Sequence, residues 1–158
     1  MNTLLILATF AHNLSSVILV GYYLMLCLVF LPVLIRHTRG SELGKLLNDL
    51  SMRMLPWIGI TILLFILSGT YMMMINPAYQ GVGKFANLWS LTMLVKHGLV
   101  MVMIAAGVCL HLLVRISVAK TTPSDAQFAT LKPFRRVLAI MSGAGVLVLL
   151  LTAIAQAQ

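Results

Sequence analysis

Four ionisable residues lie inside long apolar stretches of the sequence: His12, Lys96, His97 and His111. Ionisable side chains are costly at membrane depth and usually face the interior of a helix bundle, so these four are the first candidates for a functional site. Imidazole nitrogens bind transition metals and haem iron. A lysine in the same place binds anionic groups or relays a proton. What the four residues do depends on the elements that position them.

Composition places these residues in a membrane. The chain has 158 residues, 61% hydrophobic and 9% charged, with a mean hydropathy of +1.04, whereas soluble domains are about one quarter charged. Four apolar stretches, at about residues 4–35, 55–75, 88–114 and 134–155, each reach the ~20 residues that a spanning helix needs. They are apolar at nearly every position, which favours helices over strands. We expect an all-α integral membrane four-helix bundle, a single domain over residues 1–158, with the first stretch retained as a helix.

The basic residues predict the orientation of the bundle. Two loops, those between the first and second spans and between the third and fourth, carry nearly all of them: Arg36, Arg39, Lys45, Arg53, Arg115, Lys120, Lys132, Arg135 and Arg136. The loop between the second and third spans carries only Lys84. By the positive-inside rule both basic loops are cytoplasmic, so both termini lie outside, on the periplasmic side of the inner (cytoplasmic) membrane. Orientation and anionic headgroups account for the net charge of +8, and a nucleic-acid partner is not needed.

The first basic loop also predicts a short amphipathic helix on the membrane surface. Its apolar residues recur at helical spacing: Leu43, Leu46, Leu47, Leu50 and Met54. Ser41 is a suitable N-cap, Pro56 is expected to mark the break before the second span, and Pro133 is expected to open the fourth span near its first turn. The fourth span has no charged residue or histidine beyond residue 136, so we expect it to face lipid or a partner subunit.

His12 and His97 are expected to lie at the same depth. Each lies about eight residues into a span that enters from outside, and two histidines facing each other across a bundle are the ligand set of a b-type haem. The alternative is that each histidine only hydrogen-bonds a neighbouring carbonyl, serine or threonine. His111 follows His97 by fourteen residues, ~21 Å along roughly the same helix face. It could hold a second haem, with Met25, Met54 or no residue as its partner, or be a plain interfacial histidine.

Lys96 lies ~100° round the helix from His97. It could pair with a haem propionate, a quinone oxygen or a substrate carboxylate, or relay a proton. The alternative is a lysine that extends its amine towards the membrane surface. Because none of the four predicted spans contains a carboxylate, a bound anionic group is the favoured partner.

Methionines open a second interpretation. There are eleven, including Met72, Met73 and Met74 at the end of the second span, and thioethers are soft ligands that select Cu(I). Consecutive helical residues point in different directions, however, so at most one or two of the three could reach one ion. Methionine is also a common gap-filling residue, which is the structural alternative.

The order of several short motifs resembles the CopD-like membrane family, which is itself similar to HemJ, the four-helix protoporphyrinogen oxidase. The resemblance covers most of residues 10–115 and rests on His12, Pro32, Arg53, Ser68-Gly69-Thr70, Trp89 and Lys96. It implies haem b on the HemJ side and copper handling on the CopD side. Position by position, it implies roles for His12 as the first-span histidine, Arg53 as the arginine before the second span, and Lys96 as the third-span lysine.

The sequence therefore predicts a haem-b binding membrane protein that transfers electrons or oxidises a tetrapyrrole or quinol-like substrate. Other membrane subunits, in a larger redox complex, or further copies of the chain in a homo-oligomer are its expected protein partners. Lys96 and Arg53 are the candidate catalytic residues. His12, His97 and His111 are the candidate haem ligands, and His12 and His97 the candidate metal ligands. A copper-transport protein is the alternative, and a cofactor-free accessory subunit the second alternative.

Overall fold

A computed structural model describes residues 3–38, 40–81, 83–84, 87–119 and 126–156. Within these ranges every regular element is helical: α1 (Thr3–Met25), a π-helical turn (Leu26–Phe30), α2 (Leu31–His37), α3 (Gly40–Met74), α4 (Leu88–Ala119) and α5 (Ala126–Gln156). Because α1, the π turn and α2 follow one another without a break, they form one rod, and the described chain has four rods long and apolar enough to cross a membrane. The predicted all-helical fold with four membrane-spanning stretches is confirmed.

The four rods pack in chain order around a ring. The α1–α3 and α4–α5 contacts are the most extensive, α3–α4 and α1–α5 are intermediate, and the α3–α5 contact is slight. This is the arrangement of an up-down-up-down bundle with sequential neighbours. It puts α1 and α4 on one diagonal, so side chains from these two helices meet only across the interior.

The first rod stays helical through a proline. Pro32 lies at the start of α2, and a proline has no N–H for the helix and clashes with the carbonyl four residues before it. The π turn just before it relieves this conflict, because the Leu31 N–H donates to the Leu26 carbonyl, five residues back. The rod therefore runs from Thr3 to His37.

The predicted surface helix and the break at Pro56 are wrong. α3 is one helix from Gly40 to Met74 with Pro56 inside it, and Leu43 and Leu47 are buried in the core of the bundle. The same leucine spacing that suits a membrane surface also suits a bundle core, and the structure uses it for the core. At 35 residues, α3 is about 52 Å long against a ~30 Å hydrocarbon layer.

α5 has the largest buried share of the four apolar spans, while six of its large apolar side chains are exposed, so its expected partner-facing or lipid-facing role stays a prediction. Leu138 and Met141 are 0% and 1% exposed, and they pack with Phe134 in the main apolar core. Pro133 lies inside α5 and does not open it. The absence of charge in this segment thus reflects burial as well as contact with lipid.

The two ends of the bundle differ in character. One end of the bundle holds the last residues of α2 and α4 and the first residues of α3 and α5. We call it the basic end, because exposed basic residues surround the apolar core there: Arg36, Lys45, Arg53, Arg115, Arg135 and Arg136. At the other, the loop end, α3 and α4 are joined through residues 75–87. Asn87 caps α4, with its Oδ1 accepting from the Ser90 N–H at 2.7 Å. The same side chain donates to the Ala78 carbonyl at 3.0 Å.

Candidate functional site in the loop-end half of the bundle

His12 is buried between α1 and α3. Its side chain is 8% exposed, and its ring stacks on that of Phe65, with centroids 4.3 Å apart and planes inclined by 20°. Its Nδ1 lies 3.2 Å from the Phe65 carbonyl oxygen and 3.3 Å from Ser68 Oγ. One imidazole is therefore fixed by a ring, a carbonyl and a hydroxyl of the neighbouring helix.

These contacts determine which imidazole nitrogen carries the proton. A carbonyl can only accept, so Nδ1 of His12 is the N–H that donates to Phe65. The Ser68 hydroxyl already donates to the Leu64 carbonyl at 2.6 Å, and its lone pair is what faces Nδ1. The lone pair of Nε2 is left without a donor among the described residues. A histidine held through Nδ1–H with Nε2 free is the usual form of a metal-ligating histidine.

Gly69 makes room for this imidazole. A Cβ added at Gly69 would lie 2.8 Å from His12 Cε1 and 3.1 Å from Nδ1, distances that packed carbon atoms do not tolerate. Position 69 thus needs a residue without a side chain because His12 occupies the space. Ser68 places its hydroxyl beside Nδ1 of the His12 ring, and Gly69 leaves the space that the ring occupies.

Lys96 is buried on the other side of the interior. It is 9% exposed, and it has no hydrogen bond or ion pair with any residue that the structure describes. The charge of Lys96 acts on His12 electrostatically across the interior, since α1 and α4 lie on one diagonal of the bundle. A buried lysine with no anionic partner among the described residues favours a bound anionic group.

The polar interior is concentrated in the loop-end half. Of the buried polar residues in the described chain, Ser142 alone belongs to the other half; the remainder are His12, Ser15, Thr61, Ser68, Ser90, Thr92 and Lys96. Ser15 is 2% exposed and forms no side-chain hydrogen bond with any described residue. The bundle thus combines an apolar core at the basic end with a group of buried polar side chains in the loop-end half.

His97, unlike Lys96, is exposed. Its Nδ1 donates to the Met93 carbonyl of its own helix at 2.6 Å, and it lies close enough to His12 to act on it electrostatically, though more weakly than Lys96. The ~100° rotation predicted between Lys96 and His97 is confirmed, and it is Lys96 that turns inward. The interior residue opposite His12 is consequently the lysine.

The other predicted site residues lie at the basic end. Arg53 is exposed on α3, away from His12 and Lys96. His111 is half-buried, and its Nδ1 lies 2.7 Å from Ser51 Oγ, a hydrogen bond that joins α4 to α3. A cavity of about 340 Å³ adjoins this pair. The structure thus brings His12 and Lys96 together and places Arg53 and His111 elsewhere.

The described residues include no group of three or more His, Cys, Asp or Glu side chains that could hold a metal ion. Met72 and Met73 are half-buried and Met74 is exposed, in keeping with the divergent directions expected for consecutive helical residues.

Two residues that contact the predicted histidines escaped the sequence prediction: Phe65 and Ser51. One usable signal was the spacing of Lys96, Met103 and Leu110, seven residues apart, which are all buried and define the inward stripe of α4. This spacing assigns Lys96 to the interior and His97 to the outside. The partners of His12 carry no such signal, because they depend on how far α1 is shifted along α3.

Comparison with protein-family models, with curated proteins and with solved structures finds no match. The functional argument therefore rests on the chemistry of the site.

Proposed function

We propose that the protein is a haem-b binding integral membrane protein of the inner membrane, with His12 as an axial ligand, which transfers electrons or oxidises a tetrapyrrole or quinol-like substrate. The supporting observation is the pairing of His12 and Lys96 in the bundle interior. One offers a free Nε2 lone pair and the other an unpartnered cation. In this proposal the basic end is cytoplasmic, and both termini are periplasmic.

The donor set fits one side of a haem. Nε2 of His12 would bind iron while Phe65 and Ser68 hold the ring through Nδ1–H, which fixes its orientation and makes it a better ligand. Lys96 would bind a propionate or an anionic substrate group, since a buried ammonium group is stabilised by a negative charge beside it. Haem iron, when bound, supplies one-electron transfer. His97 is exposed, so any further residue that holds the iron would come from elsewhere in the chain or from another subunit.

Copper transport is the alternative function. It would use the same Nε2 of His12 with thioether sulfur atoms near the loop end, such as those of Met72 and Met73. This arrangement would place the Lys96 ammonium group near a copper ion, and the repulsion between the two positive charges disfavours copper binding. The buried lysine thus supports haem over copper. A cofactor-free accessory subunit would need neither the free Nε2 nor the unpartnered ammonium group.

The test is a dithionite-reduced minus oxidised optical spectrum of the purified chain, with metal analysis of the same sample. Haem supply during expression must be ample. We expect a b-type spectrum and about one iron per chain. A preparation with copper and no haem would support the alternative, and a preparation with neither would support the accessory subunit.

A further inference from the structure

The cavity at the basic end has the properties of a ligand site separate from the candidate site at His12 and Lys96. Its volume of about 340 Å³ lies within the ~300–1,000 Å³ that small-molecule sites occupy. Its walls come from the first rod, α3, α4 and α5, and most of its lining is aliphatic. The polar groups among its lining residues are few: Tyr22, Tyr23, Ser51 and His111.

His111 and Ser51 form a pair that can donate or accept. Buried serines elsewhere in the bundle, such as Ser68 and Ser142, donate to the carbonyl four residues earlier. Ser51 has no such bond within the described chain, and its only described hydrogen bond is to His111. If the hydroxyl donates to Nδ1, then Nε2 of His111 carries a proton and is a donor. If Nδ1–H donates to the hydroxyl, Nε2 is an acceptor.

The tyrosines add two more polar groups without described partners. Tyr22 and Tyr23 contact each other edge to face, with centroids 5.1 Å apart. The Tyr23 hydroxyl lies against Gly107, where an added Cβ would come within 2.8 Å of it. Neither phenol hydroxyl makes a hydrogen bond to a residue that the structure describes. A ligand oxygen in the cavity would satisfy groups that the protein leaves open.

The cavity is accessible from the side of the bundle. Two of its lining residues, Leu55 on α3 and Val108 on α4, are 45% and 55% exposed, and the α3–α4 contact is less extensive than α1–α3 or α4–α5. In a membrane-spanning bundle this flank faces lipid. A ligand that enters here is therefore lipid-soluble, with a polar head that reaches His111.

We propose that this cavity binds a lipid-soluble quinone or quinol, with the ring oxygen on the His111–Ser51 pair and the hydrocarbon tail leaving between α3 and α4. A quinone carbonyl accepts a hydrogen bond and a quinol hydroxyl donates one, and the His111–Ser51 pair can match either form by exchanging its tautomer. The absence of a charged residue from the lining suits a neutral head better than a carboxylate or a phosphate. The proposal rests on this cavity alone and does not require haem at His12.

The test is a titration of the full chain in detergent with decyl-benzoquinone, followed by quenching of tryptophan fluorescence, with decylbenzene as a probe of the same tail without oxygens. We expect saturable binding of the quinone near one equivalent and weaker binding of decylbenzene. His111→Ala and Ser51→Ala should each weaken quinone binding by roughly threefold to tenfold, as the loss of one hydrogen bond predicts.

Two glycines on α4 provide a matched pair. Gly107→Ala places a methyl group against the Tyr23 hydroxyl and should weaken binding, whereas at Gly98 a Cβ meets nothing within 4 Å and Gly98→Ala should bind like wild type. Equal affinity for the two probes, or unchanged quinone affinity in both His111→Ala and Ser51→Ala, would overturn the proposal. The titration is repeated on His12→Ala, where unchanged quinone binding is expected whether or not haem is found in the wild type.

Discussion

The Nδ1 atom of His12 lies 3.2 Å from the carbonyl oxygen of Phe65, on a helix neighbouring its own, while the two rings stack with centroids 4.3 Å apart. One residue of α3 thus fixes both the tilt and the tautomer of a histidine on α1. A single polar contact of this kind in a membrane bundle contributes about 0.6 kcal/mol on average. Its main effect is to orient the imidazole, and the free Nε2 is the consequence.

Gly69 should be required for that orientation. Gly69→Ala forces a methyl group to within 2.8 Å of His12 Cε1, so the imidazole must move away from Phe65 or the helices must separate. We expect lower haem content and a loss of about 1–3 kcal/mol in unfolding free energy. Haem per chain and thermal unfolding measure the two effects.

Gly21→Ala on α1 is the matched control, because a Cβ there meets nothing within 4 Å. It should keep the haem content and stability of the wild type. If both alanine variants keep wild-type haem content, Gly69 does not position the imidazole.

Lys96→Met should preserve the stability of the folded protein but change its redox function. A lysine within the apolar part of a spanning helix costs free energy, and methionine has similar length without the charge. The variant should therefore be at least as stable as the wild type. It should nevertheless have a lower haem midpoint potential or lose electron transfer, since a nearby cation favours the electron-rich reduced state.

A redox titration of wild type and Lys96→Met, with Lys45→Met as a control for an exposed lysine, measures this effect. Identical midpoint potentials and turnover in all three proteins would show that Lys96 contributes only to structure.

Gly145 should contribute to the packing of α5 on the rest of the bundle. An added Cβ would lie 3.1 and 3.2 Å from the two Cγ atoms of Val20 and 3.3 Å from Met103 Cε, so these side chains would have to shift. We expect Gly145→Ala to lower the unfolding free energy by about 1 kcal/mol or more. Gly143→Ala, two residues earlier in open space, should be neutral or stabilising, because alanine favours helix. Equal effects of the two substitutions on unfolding would mean that this close approach is absent.

The orientation can be tested by labelling from each side of the membrane. In a background where Cys27 and Cys109 are replaced by serine, single cysteines at Gln80 and Asp49 report on the loop end and the basic end, since both positions are exposed. The distribution of basic residues predicts that Gln80 reacts from the periplasmic side and Asp49 from the cytoplasmic side. Reaction of both from the same side would contradict the four-span topology.

The sequence was sufficient for the four spans, because hydropathy over ~20 residues is a direct requirement of crossing a bilayer. The inward position of Lys96 stayed open at the level of sequence, although its seven-residue spacing from Met103 and Leu110 is a signal for it. The sequence failed at Pro56, since a proline predicts a helix break locally while a bundle can keep the helix continuous around it. The contacts of His12 with Phe65 and Ser68 could not be predicted, because they depend on the relative shift of two helices and join residues 53 and 56 positions apart in the chain.

The central claim is that Nε2 of His12 is a haem ligand inside the bundle, and haem content of His12→Ala and His97→Ala, purified side by side with wild type, tests it most directly. We expect His12→Ala to lose bound haem by the pyridine haemochrome assay, while His97→Ala, altered at an exposed side chain, keeps it. Thermal unfolding of the two variants checks that both are folded. Full haem content in folded His12→Ala would contradict the claim. Loss of bound haem in His97→Ala alone would identify His97 as the ligand in place of His12.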